Sequence, residues 1–368
     1  MIVLIEFENK PLLFSEPKDI ITCDTPKQMA SCFSQMEKAV DSEHFLAGFM
    51  SYEAGYGFEA KLLHDTRYDF PLMMMGVYAA PDAGYESLGK GGHHKISVKG
   101  TNTSKPDYHR NIDRIREYIS TGDVYQITYC KKFLFDHSGS AYSLYRALKK
   151  DQPVPYPAYI RSGGLEIASL SPEMFIKKRG SFVRTKPMKG TWMRGSGIIN
   201  DLFAGYRLKC DMKNRAENIM ITDLLRNDLG RIGTKVRAPK LFEVARYKTL
   251  YQLTSTVTCD LDQGIPFYEL FKAIHPSGSV TGAPKIRAME VIRELEDEPR
   301  NIYTGAIGYI TPQRDLFFNV PIRTLLIRDG RGEMGVGGGI VWDSTPQGEY
   351  DECMLKARFL TEAAYPVI

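Results

Sequence analysis

Two glutamates and a lysine near the C-terminal end of the sequence, Glu349, Glu352 and Lys356, fall at i, i+3 and i+7, so they share one face of any helix that carries them. Thr345 followed by Pro346 reads as an N-cap with proline in the first turn, which would start that helix just ahead of them. Before it come Gly337, Gly338 and Gly339, three residues without a Cβ, so the backbone can pass very close to a ligand. A glycine turn here would offer backbone N–H groups to an anion. Carboxylates, an ammonium and such a turn suit an anionic ligand held partly through a metal ion. The same pattern equally suits an αβ turn followed by a solvated helix face. A further glutamate, Glu217, stands at the edge of an apolar helical stripe, where a carboxylate looks into a cleft or simply marks a boundary.

Other chemistry is excluded by spacing. Gly278-Ser-Val-Thr-Gly-Ala-Pro-Lys285 fails the G-x-x-x-x-G-K-[ST] phosphate loop, and Gly335-Val-Gly-Gly-Gly-Ile340 misses G-x-G-x-x-G, so no nucleotide site is expected. His93 and His94 have no partner ligands nearby in sequence and read as loop residues. The six cysteines, at 23, 32, 130, 210, 259 and 353, form no C-x-x-C pair, which suggests a reduced, cytoplasmic setting without a cysteine metal cluster. None sits in a G-x-C-x-G elbow, so no glutaminase nucleophile is evident.

The elements that must position these residues follow from composition and periodicity. With 368 residues, 43% hydrophobic and 25% charged, the chain has the material for one large globular unit or two ordinary ones. A net charge of +4 without a long Lys/Arg run argues against a dedicated nucleic-acid binder. The longest apolar run, Leu72 to Ala80, is too short for a membrane span, and the N-terminus lacks the basic and small-residue marks of a secretion signal. Residues 81–106, rich in Gly, Lys, Ser, Thr and Asn, read as a loop or boundary between an N-terminal part (1–104) and a core (105–368). Amphipathic helices are expected over Asp107–Ser120, Tyr206–Asp228, Pro266–Ile274 and Pro284–Glu296. The second of these would bury Leu208, Met212, Ala216, Met220 and Leu224. Strands dominate Leu253–Cys259, Ile302–Ile310, Leu316–Ile327 and Gly332–Gly337. Many hairpin-linked strands with helices between groups point to an α+β fold with antiparallel sheets.

Five motifs occur in one order: Ser171-Pro-Glu173, Lys186-Pro-Met-Lys-Gly-Thr191, Arg215-Ala-Glu-Asn-Ile-Met-Ile-Thr-Asp-Leu-Leu-Arg-Asn-Asp228, Gly278 to Lys285, and Gly337-Gly-Gly-Ile-Val-Trp-Asp-Ser344. In this combination the chain resembles the chorismate-utilising enzymes over about residues 105–360, and more weakly before that, chiefly through Ser51–Glu59. The resemblance implies a four-layer α/β/β/α sandwich of two mainly antiparallel sheets with the site between them. It implies Mg²⁺ held by Glu217 and Glu352, with Glu349 nearby. Oxygen ligands few in number, completed by substrate and water, are what Mg²⁺ prefers. It also implies that Arg323, Tyr303 and the backbone at Gly338 and Gly339 hold the enolpyruvyl carboxylate, that Ser279, Thr191 and Gln252 lie about the ring, and that Lys356 balances charge.

Two positions separate branches of the family. Hydrating members carry a base lysine where this chain has Gln126, and an amide cannot activate water as a base. Anthranilate-forming members resemble Pro-Ile-Ala-Gly-Thr where this chain reads Pro187-Met-Lys-Gly-Thr191; the lysine form resembles the aminodeoxychorismate branch. There Lys189 would be the nucleophile toward chorismate and Glu173 the general acid, with ammonia drawn from a glutamine amidotransferase subunit. Gln252 departs from the family's usual histidine, which shifts proton transfer onto Glu173.

Overall fold

Every strand pairing among the described residues is antiparallel. The computed structural model describes residues 1–84, 88–89, 91–195, 197–248 and 250–364. Its first elements are β1 (Ile2–Ile5), β2 (Leu12–Phe14), β3 (Asp19–Cys23), α1 (Met29–Asp41), β4 (Phe45–Met50), β5 (Met73–Tyr78) and β6 (His94–Thr101). Then come α2 (Lys105–Ser120), β7 (Gln126–Gly139), α3 (Ala141–Asp151), β8 (Tyr156–Ser162), β9 (Leu165–Ser171), β10 (Met174–Arg179), β11 (Phe182–Lys186) and β12 (Met188–Met193). A helical pair, α4 (Ile198–Cys210) and α5 (Met212–Gly230), leads to β13 (Gly233–Arg246) and β14 (Leu250–Leu261). The chain continues through α6 (Phe267–Ile274), β15 (Gly282–Ala283), α7 (Lys285–Leu295), β16 (Ala306–Ile310), β17 (Leu316–Asn319), β18 (Thr324–Arg328), β19 (Arg331–Ile340) and α8 (Pro346–Ala364).

One sheet runs β15-β7-β19-β18-β9-β8-β1-β2, with β6 also on β7; the other runs β12-β14-β11-β10-β17-β16-β4-β5-β3, with β13 on β14. Their inner faces meet where Val3, Ile160 and Ile167 pack with Phe49, Ile307 and Phe317. Helices α2, α3, α7 and α8 cover the outer face of the first sheet, and α1, α5 and α6 cover that of the second. The result is the expected α+β sandwich of four layers, α/β/β/α. Strands from before residue 105 enter both sheets.

Local sequence explains much of this. Helix α2 starts where the Ser104 hydroxyl accepts the Asp107 N–H, with Pro106 in the first turn, and it buries Tyr108, Ile112 and Ile115 at helical spacing. No described helix is long and apolar enough to cross a membrane.

Three expectations need correction. The single helix Tyr206–Asp228 is two helices, because Asp211 leaves the helical conformation and its carboxylate caps α5 at the Asn214 N–H. The buried face of α5 is consequently Asn218, Ile221, Thr222, Leu225 and Leu229, while Met212 is 77% exposed. The stretch 81–106 holds a strand, β6, which pairs with the outer half of β7 and buries only Ile96 among its polar neighbours. Gly337, Gly338 and Gly339 form no turn. They lie inside β19, paired in register with Cys130, Tyr129 and Thr128.

Candidate active site

The strand-rich run Leu316–Ile327 divides between the sheets, with β17 in one and β18 in the other; the chain crosses at 320–323. Strand β18 pairs with β19 only as far as Leu325 opposite Met334. From Gly335 onward β19 keeps β7 on one side and, among the described residues, has no strand on the other. In an antiparallel strand alternate N–H groups point to each side, so part of the glycine run faces that open edge.

Several side chains converge there. A Cβ at position 339 would overlap Nε2 of Gln126 and stand 2.9 Å from Nζ of Lys189, so only glycine lets both nitrogens approach the strand. A Cβ at 338 would lie 2.8 Å from Oε2 of Glu349 and 4.0 Å from both Oε1 of Glu352 and Nζ of Lys356. Lys356 donates to the Gly337 carbonyl (2.7 Å) and pairs with Glu352 (2.8 Å). Ser344, between the glycines and α8, donates to Glu349 at 2.6 Å. The face read from sequence spacing is therefore real: α8 lays Glu349, Glu352 and Lys356 against the glycine strand.

The opposite wall comes from the second sheet. Strand β12 carries Lys189 and Thr191, with Thr191 opposite Gln252 of β14. Glu173 lies in the link between β9 and β10, is 3% exposed, and accepts a 2.6 Å hydrogen bond from Ser279, whose hydroxyl also contacts that of Ser277 (2.9 Å). Arg323 sits at the crossing between sheets and forms no ion pair among the described residues. Tyr303 packs on Gly335, further back along β19, and the guanidinium in its electrostatic surroundings is that of Arg300.

Burial sets the electrostatics. It pushes the Glu173 carboxyl up to about 7, against the Ser279 bond and the nearby Lys189 charge. Lys189 is half-buried, and burial lowers the pKa of its amine; Glu217, Glu173 and Glu352 act the other way and Lys356 adds to the lowering. Burial raises Glu217 and Glu349, whereas Lys356 holds Glu352 low. Burial also works against the Lys356 charge, yet Glu352 and Cys353 outweigh it and keep the amine protonated. Burial depresses Arg323 as well, with the Tyr247 phenol opposing. A half-buried guanidinium with no ion pair among the described residues suits an anion.

Among the described residues no three His, Cys, Asp or Glu side chains converge as a protein-only metal cage. The donor set nonetheless fits a hard divalent cation that keeps water and substrate ligands. Glu217 and Glu349 are carboxylates raised by burial, which a cation would relieve, and Glu352 is already ionised beside them.

Gln126 was set apart in the sequence only as the absence of a base. In the fold it is fully buried, and neither polar atom of its amide has a hydrogen-bond partner among the described residues. Asn214 is a second residue the sequence did not single out; its Oδ1 lies 2.9 Å from where a Gly190 Cβ would be, placing the start of α5 beside Lys189. No local signal marks either one, because both owe their position to long-range pairing.

A family model described as chorismate binding enzyme matches residues 85–362. The aminodeoxychorismate synthase component 1 of Klebsiella aerogenes is 39% identical over 253 residues, covering 68% of this chain and 56% of the relative. The anthranilate synthase component 1 of Acetivibrio thermocellus is 36% identical over 266 residues, covering 72% and 54%. The chain thus spans about half the length of these relatives. The crystal structure of anthranilate synthase component I from Streptococcus pneumoniae superposes with a TM-score of 0.78 at 25% identity, over 97% of this chain and 89% of that one.

Proposed function

The chain belongs to the chorismate-binding enzymes, and on that premise we propose that it aminates chorismate, joining ammonia to ring C4 in place of the hydroxyl to give 4-amino-4-deoxychorismate. This is the reaction that leads to 4-aminobenzoate and folate. The observation that carries the reading is the Lys189 amine, buried, depressed in pKa, and grouped with Gln126, Glu217, Glu352 and the open edge at Gly339.

In this reading Lys189 attacks C2 in its uncharged form as the C4–O bond breaks, and Glu173 gives its proton to the departing oxygen, which leaves as water. Burial shifts Lys189 toward the neutral amine and Glu173 toward the protonated carboxyl, the direction each step requires. Ammonia then attacks C4 as the C2–N bond breaks, which returns the amine to Lys189 and a proton to Glu173. Dividing one hard displacement into two easier ones is the gain of a covalent route. Arg323, the Gly338 and Gly339 backbone and Tyr303 bind the enolpyruvyl carboxylate; Ser279, Thr191 and Gln252 border the ring. Glu217 and Glu352 would hold Mg²⁺, with Glu349 supporting, and the bound ion would supply positive charge against the substrate carboxylate. The ammonia comes from a glutamine amidotransferase subunit; the name "component 1" borne by the relatives supports a partner.

A second reading, amination at C2 toward anthranilate, is favoured by the comparable identity to anthranilate synthase component 1. Mass identification of the product from chorismate, Mg²⁺ and ammonium separates them: 4-amino-4-deoxychorismate supports the first, anthranilate with pyruvate the second.

A further inference from the structure

Helix α4 is built inside out. Its apolar residues Ile199, Leu202, Phe203 and Tyr206 recur at i, i+3, i+4 and i+7, the spacing of a core-facing stripe. Yet they are 72, 68, 58 and 66% exposed, while Ala204 and Leu208 on the other side pack on Tyr251 and Leu253. Beside the stripe, Trp192 and Met193 end β12 and are 37 and 47% exposed. A single exposed apolar residue is ordinary, but a complete helical stripe continued by an adjacent strand marks an interaction surface.

The surroundings of the stripe restrict what covers it. Residues 194–248 contain twelve Lys and Arg against six Asp and Glu, a surplus of six on a chain whose whole net charge is +4. Arg207 and Lys209 of this stretch, on α4 itself, are exposed on either flank of the stripe. A second copy docking face to face would bring two such basic rims together, which like-charge repulsion opposes. The position also matters. Trp192 and Met193 lie three and four residues beyond Lys189 on the same strand, roughly 10–13 Å along it at strand spacing.

We propose that the α4 stripe with the end of β12 is the docking site for the ammonia-supplying protein, which meets it with an apolar groove rimmed by Asp and Glu. The inference rests on the amination reading, since it assigns the partner of that reaction to this face. A helix laid into a groove through i, i+3, i+4 and i+7 anchors is a recurrent mode of recognition. Docked here, the partner opens onto the end of the strand that carries Lys189.

The test compares wild type with a Leu202→Asp/Phe203→Asp variant, neither residue belonging to the catalytic group. Each purified chain is assayed with ammonium alone, and with glutamine plus each glutamine amidotransferase subunit of the same source organism. Binding to that subunit is measured in parallel, at low and at high salt. The expected result is that the variant keeps ammonium-dependent turnover within twofold, loses glutamine-dependent turnover and binding at least tenfold, and that wild-type binding weakens with salt. Undiminished glutamine use or binding by the variant overturns the assignment. So does a wild-type dimer that the variant abolishes, or an equal loss of ammonium turnover, which would make the stripe part of the chain's own closure. Ammonium-dependent formation of another product, with docking lost in the variant, would instead strike the amination reading and leave the surface standing.

Discussion

The Ser279 hydroxyl donates a 2.6 Å hydrogen bond to Oε1 of Glu173, a carboxyl that burial pushes up to about 7 in spite of that bond. The bond favours the carboxylate and therefore limits how far burial can raise the group. If Glu173 must be protonated to act as an acid, kcat falls as pH rises through its pKa. Ser279→Ala removes the restraint, so the alkaline limb of the kcat profile moves to higher pH, by roughly half to one unit for a hydrogen bond worth about 1 kcal/mol. A limb that stays in place, or moves to lower pH, contradicts the role of Glu173.

Gly339→Ala tests the close approach at β19. The added methyl overlaps the Gln126 amide and crowds the Lys189 amine, so the ends of both side chains must move away from the strand. Turnover is expected to drop by about 100-fold or more, as displacements of about 1 Å in a reacting group do. At this position β19 pairs with β7 on one side only among the described residues, so far-UV circular dichroism should match wild type. Near-normal turnover would show that neither nitrogen works at this spot.

For the carboxylates, Glu217→Gln and Glu352→Gln are each expected to weaken Mg²⁺ binding at least tenfold, measured by calorimetry as well as by the Mg²⁺ dependence of turnover. EDTA should stop the reaction and added Mg²⁺ restore it. Full turnover in metal-free buffer contradicts the assignment.

How much of this could be read from residues alone depends on how local its cause is. The shared face of Glu349, Glu352 and Lys356 needed only helical spacing, and α8 presents it as the spacing implies. The antiparallel sandwich followed from hairpin-rich sequence and from motifs in a family order. What failed was set by distant partners. Three glycines look like a turn until β7 is seen to pair with each of them. The break between α4 and α5 turns on one carboxylate, Asp211, choosing to cap the second helix in place of continuing the first. The importance of Gln126 depends on which strand lies beside β7, and no window along the chain contains that.

The central claim is a covalent role for Lys189. Wild-type protein incubated with chorismate and Mg²⁺ but no ammonia, then digested and examined by peptide mass spectrometry, should carry a chorismate-derived adduct on the peptide containing Lys189. Lys189→Ala should carry none and should lose turnover severely while chorismate binding persists, because binding rests on other groups and loss of an interaction made only along the reaction path appears in kcat and not in KM. An unmodified Lys189 in the wild type, with the alanine variant equally fast and releasing anthranilate and pyruvate, would contradict the account and reduce Lys189 to a wall of the pocket.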